Sequence, residues 1–273
     1  MSNSRSLINR RKTLLTFGHV TAALATIGIG RSALAKPLAA NDLAASKSPG
    51  EQSKGALREL GNRLLAAPRR RDFKSAPFIV TNPNDWDHEA ALEVLSYKYK
   101  SIQAWDNANL ASPWLGLMRE AMNGQMFAHG NAEFLAVSAT HGAAHFALFS
   151  QAIWDKYKIP ELLDRKFPSN SFIVEREGAS PSDDLQNISG FYGPLNSNIR
   201  SLQRRGAVFL ACHDSIHAIA RKLAGEASFS ATPVNEIAAD LTNNLIPGAI
   251  LVPSVVAFLV ELQRAGFTYV NGG

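Results

Sequence analysis

Cys212-His213-Asp214 is a dense cluster of chemically versatile side chains, and Cys212 is the only cysteine of the chain. The apolar run 207–211 before it predicts a buried strand, and the residues after it predict the first turn of a helix. Helix N-termini carry a partial positive charge that favours a thiolate. The position therefore predicts a nucleophile or sulfur carrier at Cys212, with His213 and Asp214 as catalytic neighbours. The alternative is a structural cysteine, since free cysteine is among the most buried residue types.

Two pairs of histidines repeat at a spacing of four residues, which puts both rings of a pair on one face of a helix. The pairs are His141/His145 and His213/His217. This spacing is typical of metal-binding helices, and a nearby thiolate or carboxylate would suit zinc. The second pair departs from the metalloprotease motif because Asp214 stands at the position of its glutamate. A divalent metal such as zinc is one hypothesis for a cofactor, and structural hydrogen bonding of the histidines is the alternative.

Polar residues follow each of the first three predicted strands. Because the carboxyl ends of adjacent parallel strands meet at one edge of the sheet, where α/β proteins bind ligands, these residues are expected to line one crevice. The strands are predicted at 76–81, 134–139 and 207–211. The ligand-binding residues of the crevice are predicted to be Asp85, His88, His141 and Gly142.

Strand and helix patterns alternate along the chain, which predicts βαβ units and a mostly parallel sheet. Two further strands are predicted at 249–252 and 267–270. Helices are predicted at 53–67, 86–97, 114–127, about 143–157, 195–205, 212–225, 234–242 and 254–264. The expected fold is α/β, with a three-layer, doubly wound sheet of about five strands.

The first 35 residues have the features of an export signal. Arg10 and Arg11 precede an apolar run at 13–29, and Ala33-Leu34-Ala35 is a small-x-small cleavage site. The paired arginines indicate twin-arginine export, which predicts cleavage near Ala35, the twin-arginine export machinery as a partner and a periplasmic location. An ordinary secretory signal or a retained membrane anchor is the alternative. Residues 36–75 are expected to form a linker and a helical extension.

Composition argues against a nucleic-acid partner. The net charge is +5, but five of the 28 basic residues and none of the 23 acidic ones precede residue 36. Without that segment the chain has no net charge and no basic surface is indicated. A single cysteine also excludes an intramolecular disulfide framework.

The segment 245–270 reads Leu-Ile-Pro-Gly, a strand, Val-Pro-Ser at a helix start, and a final Gly-Phe-Thr-Tyr strand. This segment resembles the C-terminal signature of DsrE-like proteins, and 206–219, 134–146 and 78–95 resemble their strand–helix units. The resemblance implies a compact domain over 76–273 with insertions near 98–130 and 158–194, and it implies a homo-oligomer. In sulfur-relay members of this family a cysteine carries a persulfide, and its position corresponds to Cys212.

Together these features predict an exported DsrE-like protein that handles sulfur species or a small ligand through Cys212 in a histidine-lined crevice. A sulfur-carrier protein or a small molecule would be its partner. One alternative is a periplasmic metal-binding protein that uses His141, His213 and His217. Another is a non-catalytic oligomeric binding module.

Overall fold

The computed structural model describes residues 55–273, which fold around a five-stranded sheet. The strand order is β4-β3-β2-β1-β5, and every neighbouring pair is parallel. Helices cover the sheet on two sides, which confirms the predicted three-layer α/β class. The strands are β1 (Ile102–Asn107), β2 (Leu135–Thr140), β3 (Val208–Cys212), β4 (Ile250–Val252) and β5 (Thr268–Asn271).

The α-helices of this part of the chain occupy most of the connections between strands. A 3₁₀ helix, Gly142–Leu148, follows β2 directly, and a π-helical turn, Gly124–Ala128, extends α3. The helices are α1 (Ala56–Ala66), α2 (His88–Ser96), α3 (Trp114–Asn123), α4 (Gln151–Lys156), α5 (Ile159–Leu162), α6 (Ile199–Arg204), α7 (His213–Ala224), α8 (Val234–Asn243) and α9 (Val255–Arg264).

Each side of the sheet packs against its own set of helices. On the α7 face, Phe209 of β3 packs in one apolar cluster with residues of α3, α7 and α8. On the α9 face, Leu210 packs in a second cluster with residues of α1, α2 and α9. Successive strand residues point to opposite faces, so the two clusters divide β3 by residue parity. Cys212 has the parity of Leu210 and belongs to the cluster of the α9 face.

The outer edge of β4 is covered by Asp87 rather than by another strand. The Asp87 backbone N–H donates to the carbonyl of Leu251, and the Leu251 N–H donates to the Asp87 carboxylate at 2.7 Å. Arg71 donates to both oxygens of that carboxylate, at 3.2 and 2.9 Å, and the Arg70 N–H donates to one of them at 2.9 Å. Since Asp87 is completely buried, this network both closes an exposed edge and neutralises a buried charge.

The prediction of a strand at 76–81 is wrong. This run has no regular secondary structure, and Phe78 and Ile79 are 56% and 69% exposed. Pro77 cannot donate to a strand ladder, which removes the run from the sheet interior. The first strand is β1 instead, within the segment 98–130 that was expected to be an insertion. The polar residues Gln103 and Asp106 interrupt the apolar run that would otherwise predict this strand.

Two helix predictions differ from the structure because of caps. The segment 143–157 is a 3₁₀ helix followed by α4, whose start is capped by the Ser150 hydroxyl accepting from Ile153 N–H. The helix predicted from 195 begins at Ile199, because the Asn198 side chain accepts from Ser201 N–H. Both caps satisfy amide groups that a helix start leaves without partners.

The proposed export signal at 1–35 and residues 36–54 of the predicted linker and helical extension lie outside the described residues. No helix within 55–273 has the length and apolar character of a membrane span.

Candidate functional site

The carboxyl ends of β1 and β2 are tied together by backbone hydrogen bonds. His141 N–H donates to the Asn107 carbonyl at 3.0 Å, and Ala144 N–H donates to the Ala108 carbonyl at 3.0 Å. Gly142 lies between these bonds with a φ of 53°, and a Cβ there would lie 3.0 Å from the Ala108 oxygen. Glycine is therefore required for the sharp turn that leaves His141 at the end of the sheet.

His141 and Asp106 form a hydrogen-bonded pair at this edge. The His141 Nε2 donates to the Asp106 Oδ1 at 2.7 Å, and the two side chains are 23% and 25% exposed. The other carboxylate oxygen, Oδ2, accepts from the Tyr269 hydroxyl at 2.8 Å. A carboxylate that accepts from one ring nitrogen fixes the tautomer of the neutral imidazole, in which His141 Nδ1 is an acceptor. The pair has the composition of a general base that is held in place by a carboxylate.

Ser215, in the first turn of α7, adds a hydroxyl to the same edge. Its Oγ accepts from the Gly142 N–H at 3.1 Å, so its own proton is available to another acceptor. Gly142 follows His141 in the chain, and Ser215 is partly exposed. The edge therefore offers an acceptor at His141 and a donor at Ser215. A small neutral ligand that carries both a donor and an acceptor would complement them.

Cys212 lies at the end of β3 under an apolar layer. It is 2% exposed and belongs to the cluster of the α9 face, which includes Val252 and Val255. Thr140 pairs with Ala211, so His141 and Cys212 occupy the next register position on neighbouring strands. Residue parity places both on the α9 face, with the Asp106 side chain that binds His141. The cysteine is thus close to the pair in the sheet but is shielded from solvent.

We expect the Cys212 thiol to react with a thiol-reactive disulfide reagent at least about a hundredfold more slowly in the folded protein than in denaturant, because reaction requires opening of the core. Release of the coloured leaving group under pseudo-first-order conditions measures both rates. Comparable rates in the two states would show that the thiol is accessible.

His213 and His217 contact each other on the first turns of α7, with their ring planes tilted by 53°. Their ring centroids are 4.7 Å apart, as the spacing of four residues predicts. His213 Nε2 donates to the Pro77 carbonyl at 2.6 Å, and the Phe78 ring contacts His217 edge-on with 5.6 Å between centroids. The segment 76–81, for which the sequence predicts a strand, therefore covers His213 and His217. Burial lowers the pKa of His213, and burial together with the charge of His213 lowers the pKa of His217 to about 4.

His145 is completely enclosed in the 3₁₀ helix after β2. It has no exposed surface, and within residues 55–273 neither ring nitrogen has a hydrogen-bond partner. Burial lowers its pKa to about 3, and the charges of His141 and His213 act in the same direction. The ring lies 5.0 Å from that of Phe149, between centroids. His145 is consequently a neutral residue of the protein interior at physiological pH.

The predicted site residues fall into separate groups rather than one crevice. Asp85 lies near His213, where its charge offsets a small part of the lowering of the His213 pKa by burial, whereas His88 makes local contacts with Pro83 and Glu89. Asp214 is exposed at the start of α7. His141 precedes its 3₁₀ helix in extended conformation, so the expected α-helical pair with His145 does not form. Among the described residues, no group of three or more His, Cys, Asp or Glu side chains is arranged to hold a metal ion, which removes structural support from the proposed set His141, His145, His213 and His217.

Three residues that lie at this edge were not among the predicted site residues. Asp106 is hydrogen-bonded to His141, and Tyr269 is hydrogen-bonded to the Asp106 carboxylate. Ser215 is hydrogen-bonded to Gly142, the residue after His141. Asp106 was missed because β1 was not predicted, although its position near the end of a strand would have indicated it. Ser215 lies two residues after His213 in the Cys212 cluster, and no spacing rule selected it.

We expect Asp106→Asn to lower the pKa of the Tyr269 hydroxyl toward its ordinary value of 10.0, because the hydrogen bond to the Asp106 carboxylate raises it and burial adds to the effect. Titration of the near-ultraviolet phenolate absorbance measures this change. Tyr269→Phe identifies which part of the titration belongs to Tyr269. An unchanged curve in Asp106→Asn would contradict the hydrogen bond.

Comparisons with known proteins assign no family to the chain. A scan against protein-family models and searches of curated proteins and of solved structures found no match. The DsrE-like resemblance is an expectation from the sequence alone, and the segment 245–270 that carries it spans β4, α9 and most of β5. Functional inference therefore starts from the geometry of the carboxyl edge.

Proposed function

We propose that this protein binds a small neutral molecule at the carboxyl edge of its sheet and that the Asp106–His141 pair exchanges a proton with it. The observation that carries this proposal is the 2.7 Å hydrogen bond between two partly exposed side chains. Parallel α/β sheets bind ligands at this edge. An imidazole oriented by a carboxylate is a frequent general base in enzymes. Ser215 would hold an oxygen of the ligand beside it.

The electrostatics of the edge favour a neutral ligand over an anion. Asp106 and Asp214 bring two carboxylates to the ends of β1 and β3, and the nearby His213 and His145 have lowered pKa values and stay uncharged at neutral pH. An anionic ligand would meet the two carboxylates of Asp106 and Asp214. Hydroxyl- or carbonyl-bearing molecules would avoid that repulsion.

The proposal can be tested by mapping where fragments bind. We expect a set of neutral hydroxyl- and carbonyl-bearing fragments to perturb the backbone amide resonances of His141, Gly142 and Ser215 in isotope-labelled protein. The apolar cavity beside α1, which Leu57, Leu60 and Gly206 line, provides an internal control. Perturbations confined to that cavity, with none at His141, would contradict the proposal.

Sulfur transfer through Cys212 is the second candidate function. The shared sheet face and adjacent register of Cys212 and His141 support it, since an imidazole close to a thiol can accept its proton. A persulfide carrier needs an accessible thiolate, whereas Cys212 is 2% exposed. Mass spectrometry after incubation with a persulfide donor distinguishes the candidates, because only this one requires added sulfur on Cys212.

For either function, the cellular location and the oligomeric state that we propose are those predicted from the sequence. Twin-arginine export through residues 1–35 would place the folded protein in the periplasm. The DsrE-like resemblance predicts a homo-oligomer. Exposed Val256 and Val260, one turn apart on α9, provide an apolar surface on which such an oligomer could form.

A further inference from the structure

Arg205 is a buried guanidinium with few partners. Its side chain ends at the junction of α6 with α3, where it is 1% exposed. Nη2 donates to the Asn123 side-chain oxygen at 2.6 Å, and the Tyr192 ring lies 5.2 Å from Cζ. Within the described chain, Nε and Nη1 have no acceptor at all. The Nε proton and both Nη1 protons therefore lack hydrogen bonds in a site shielded from bulk water.

Within the part of the chain that the structure describes, no carboxylate compensates this charge. The titratable groups of the described chain that act on Arg205 are the Tyr192 hydroxyl and a second guanidinium, Arg119. Arg119 pairs with Glu120, whose side chain is 63% exposed, and it donates to Ser197. Burial lowers the pKa of Arg205 to about 10, which still leaves it charged at neutral pH. Arg119, which is partly exposed, therefore adds a second positive charge that acts on Arg205.

Within residues 55–273, the other buried arginine and a partly exposed one both have acidic partners. Arg204, the preceding residue, donates to the Glu175 carboxylate at 2.6 Å, and Arg71 pairs with Asp87 at 2.9 Å. A buried charge without a counter-charge is strongly unfavourable. Native proteins rarely leave such donors without acceptors unless a bound water or ion supplies one. Arg205 is the exception that needs such a partner.

We infer that Arg205 binds a small anion of chloride size in a buried site between α3 and α6. The free Nε–H and Nη1–H groups would donate to it, and the anion would also reduce the repulsion between Arg205 and Arg119. A monatomic ion is the smallest anion that can accept from these groups, and the 1% exposure of Arg205 places it away from bulk water. This site lies near the amino end of β3, since Arg205 precedes Val208, so it is separate from the proposed ligand site.

The site can be tested by thermal unfolding of the full chain in sodium chloride and in sodium gluconate at equal ionic strength. Gluconate is too large for the site and controls for charge screening. We expect the unfolding midpoint to rise by about 3 to 5 °C for each tenfold increase in chloride above its dissociation constant, and not in gluconate. Equal curves in the two salts would overturn the inference.

Two variants and one structure complete the test. Arg205→Met should lose the chloride-specific shift, whereas Arg200→Met, a partly exposed position on the same helix, should keep it. Crystals of the unaltered protein grown with bromide should show an anomalous peak within hydrogen-bond distance of Nη1. A water molecule at that position would contradict the inference, even if Arg205→Met does not fold.

Discussion

Replacing Asp87 with asparagine is expected to lower the free energy of unfolding by about 3 to 5 kcal/mol, because it leaves the Arg71 guanidinium without its buried counter-charge. The completely buried Asp87 carboxylate accepts from the N–H groups of Arg70 and Leu251 and from Arg71. An amide can replace only part of this acceptor set. Urea unfolding followed by far-ultraviolet circular dichroism measures the loss.

Glu89→Gln provides a matched control two residues away. Glu89 also accepts from an arginine, Arg70, at 2.6 and 2.8 Å, but its side chain is 38% exposed. Exposed ion pairs contribute little, so we expect a clearly smaller loss of stability. Equal losses in Asp87→Asn and Glu89→Gln would contradict the view that the buried network closes the β4 edge.

Acidification is expected to destabilise the protein steeply below about pH 6.5, and His145 is the main cause. The pKa of His145 is lowered from 6.5 to about 3 in the folded state, so between these values the unfolded chain binds more protons. Stability therefore falls as the pH falls through this window. His145 alone should remove about 3 kcal/mol between pH 6.5 and pH 4, given about 1.36 kcal/mol per pKa unit. His217, with its pKa lowered to about 4, acts in the same direction.

His145→Leu should flatten much of this pH dependence. It also removes two buried ring nitrogens without partners, so we expect stability at neutral pH to stay unchanged or to rise. His129→Leu, at an exposed position, should keep the wild-type profile. Urea unfolding from pH 7 to pH 4 compares the three proteins. An unchanged acid transition in His145→Leu would show that His145 is not its cause.

The central strands were predictable because both of their faces are buried. All residues of β2 and β3 are buried, so each strand appears as a short, continuous run that is mostly apolar. β1 has no such run, because Gln103, Asp106 and Asn107 interrupt it. Asn107 donates to Ser138 at 2.8 Å inside the protein, a contact that only the folded sheet creates. The apolar run at 76–81 has the pattern of a strand, but it covers His213 and His217 instead of joining the sheet.

The sequence predicts where the candidate site lies, but it does not predict all of the residues that form the site. His141 was placed correctly after β2, since a Thr-His-Gly sequence follows an apolar strand. Its partner Asp106 requires the pairing of β1 with β2, and that register cannot be read from either strand alone. The spacing of His213 and His217 correctly put their rings together. It could not show that the Pro77 carbonyl and the Phe78 ring would cover them.

The sheet separates the histidines into two chemical environments. His141 is partly exposed and bound to a carboxylate, which suits proton exchange with a ligand. His145, His213 and His217 are buried and have lowered pKa values, so they contribute to packing and to acid sensitivity. This division explains why a single histidine-lined metal site does not form among the described residues.

Dissociation constants of one bound fragment for the wild-type protein and for Asp106→Asn test the central claim most directly. Fluorescence or NMR titration of the best neutral fragment measures both. We predict at least about tenfold weaker binding to Asp106→Asn, because the variant no longer fixes the His141 tautomer through a carboxylate. Tyr269→Phe, which keeps the Asp106–His141 bond, should change the constant by less than about threefold. Equal affinity of the wild type and Asp106→Asn would contradict the assignment of this pair as the functional centre.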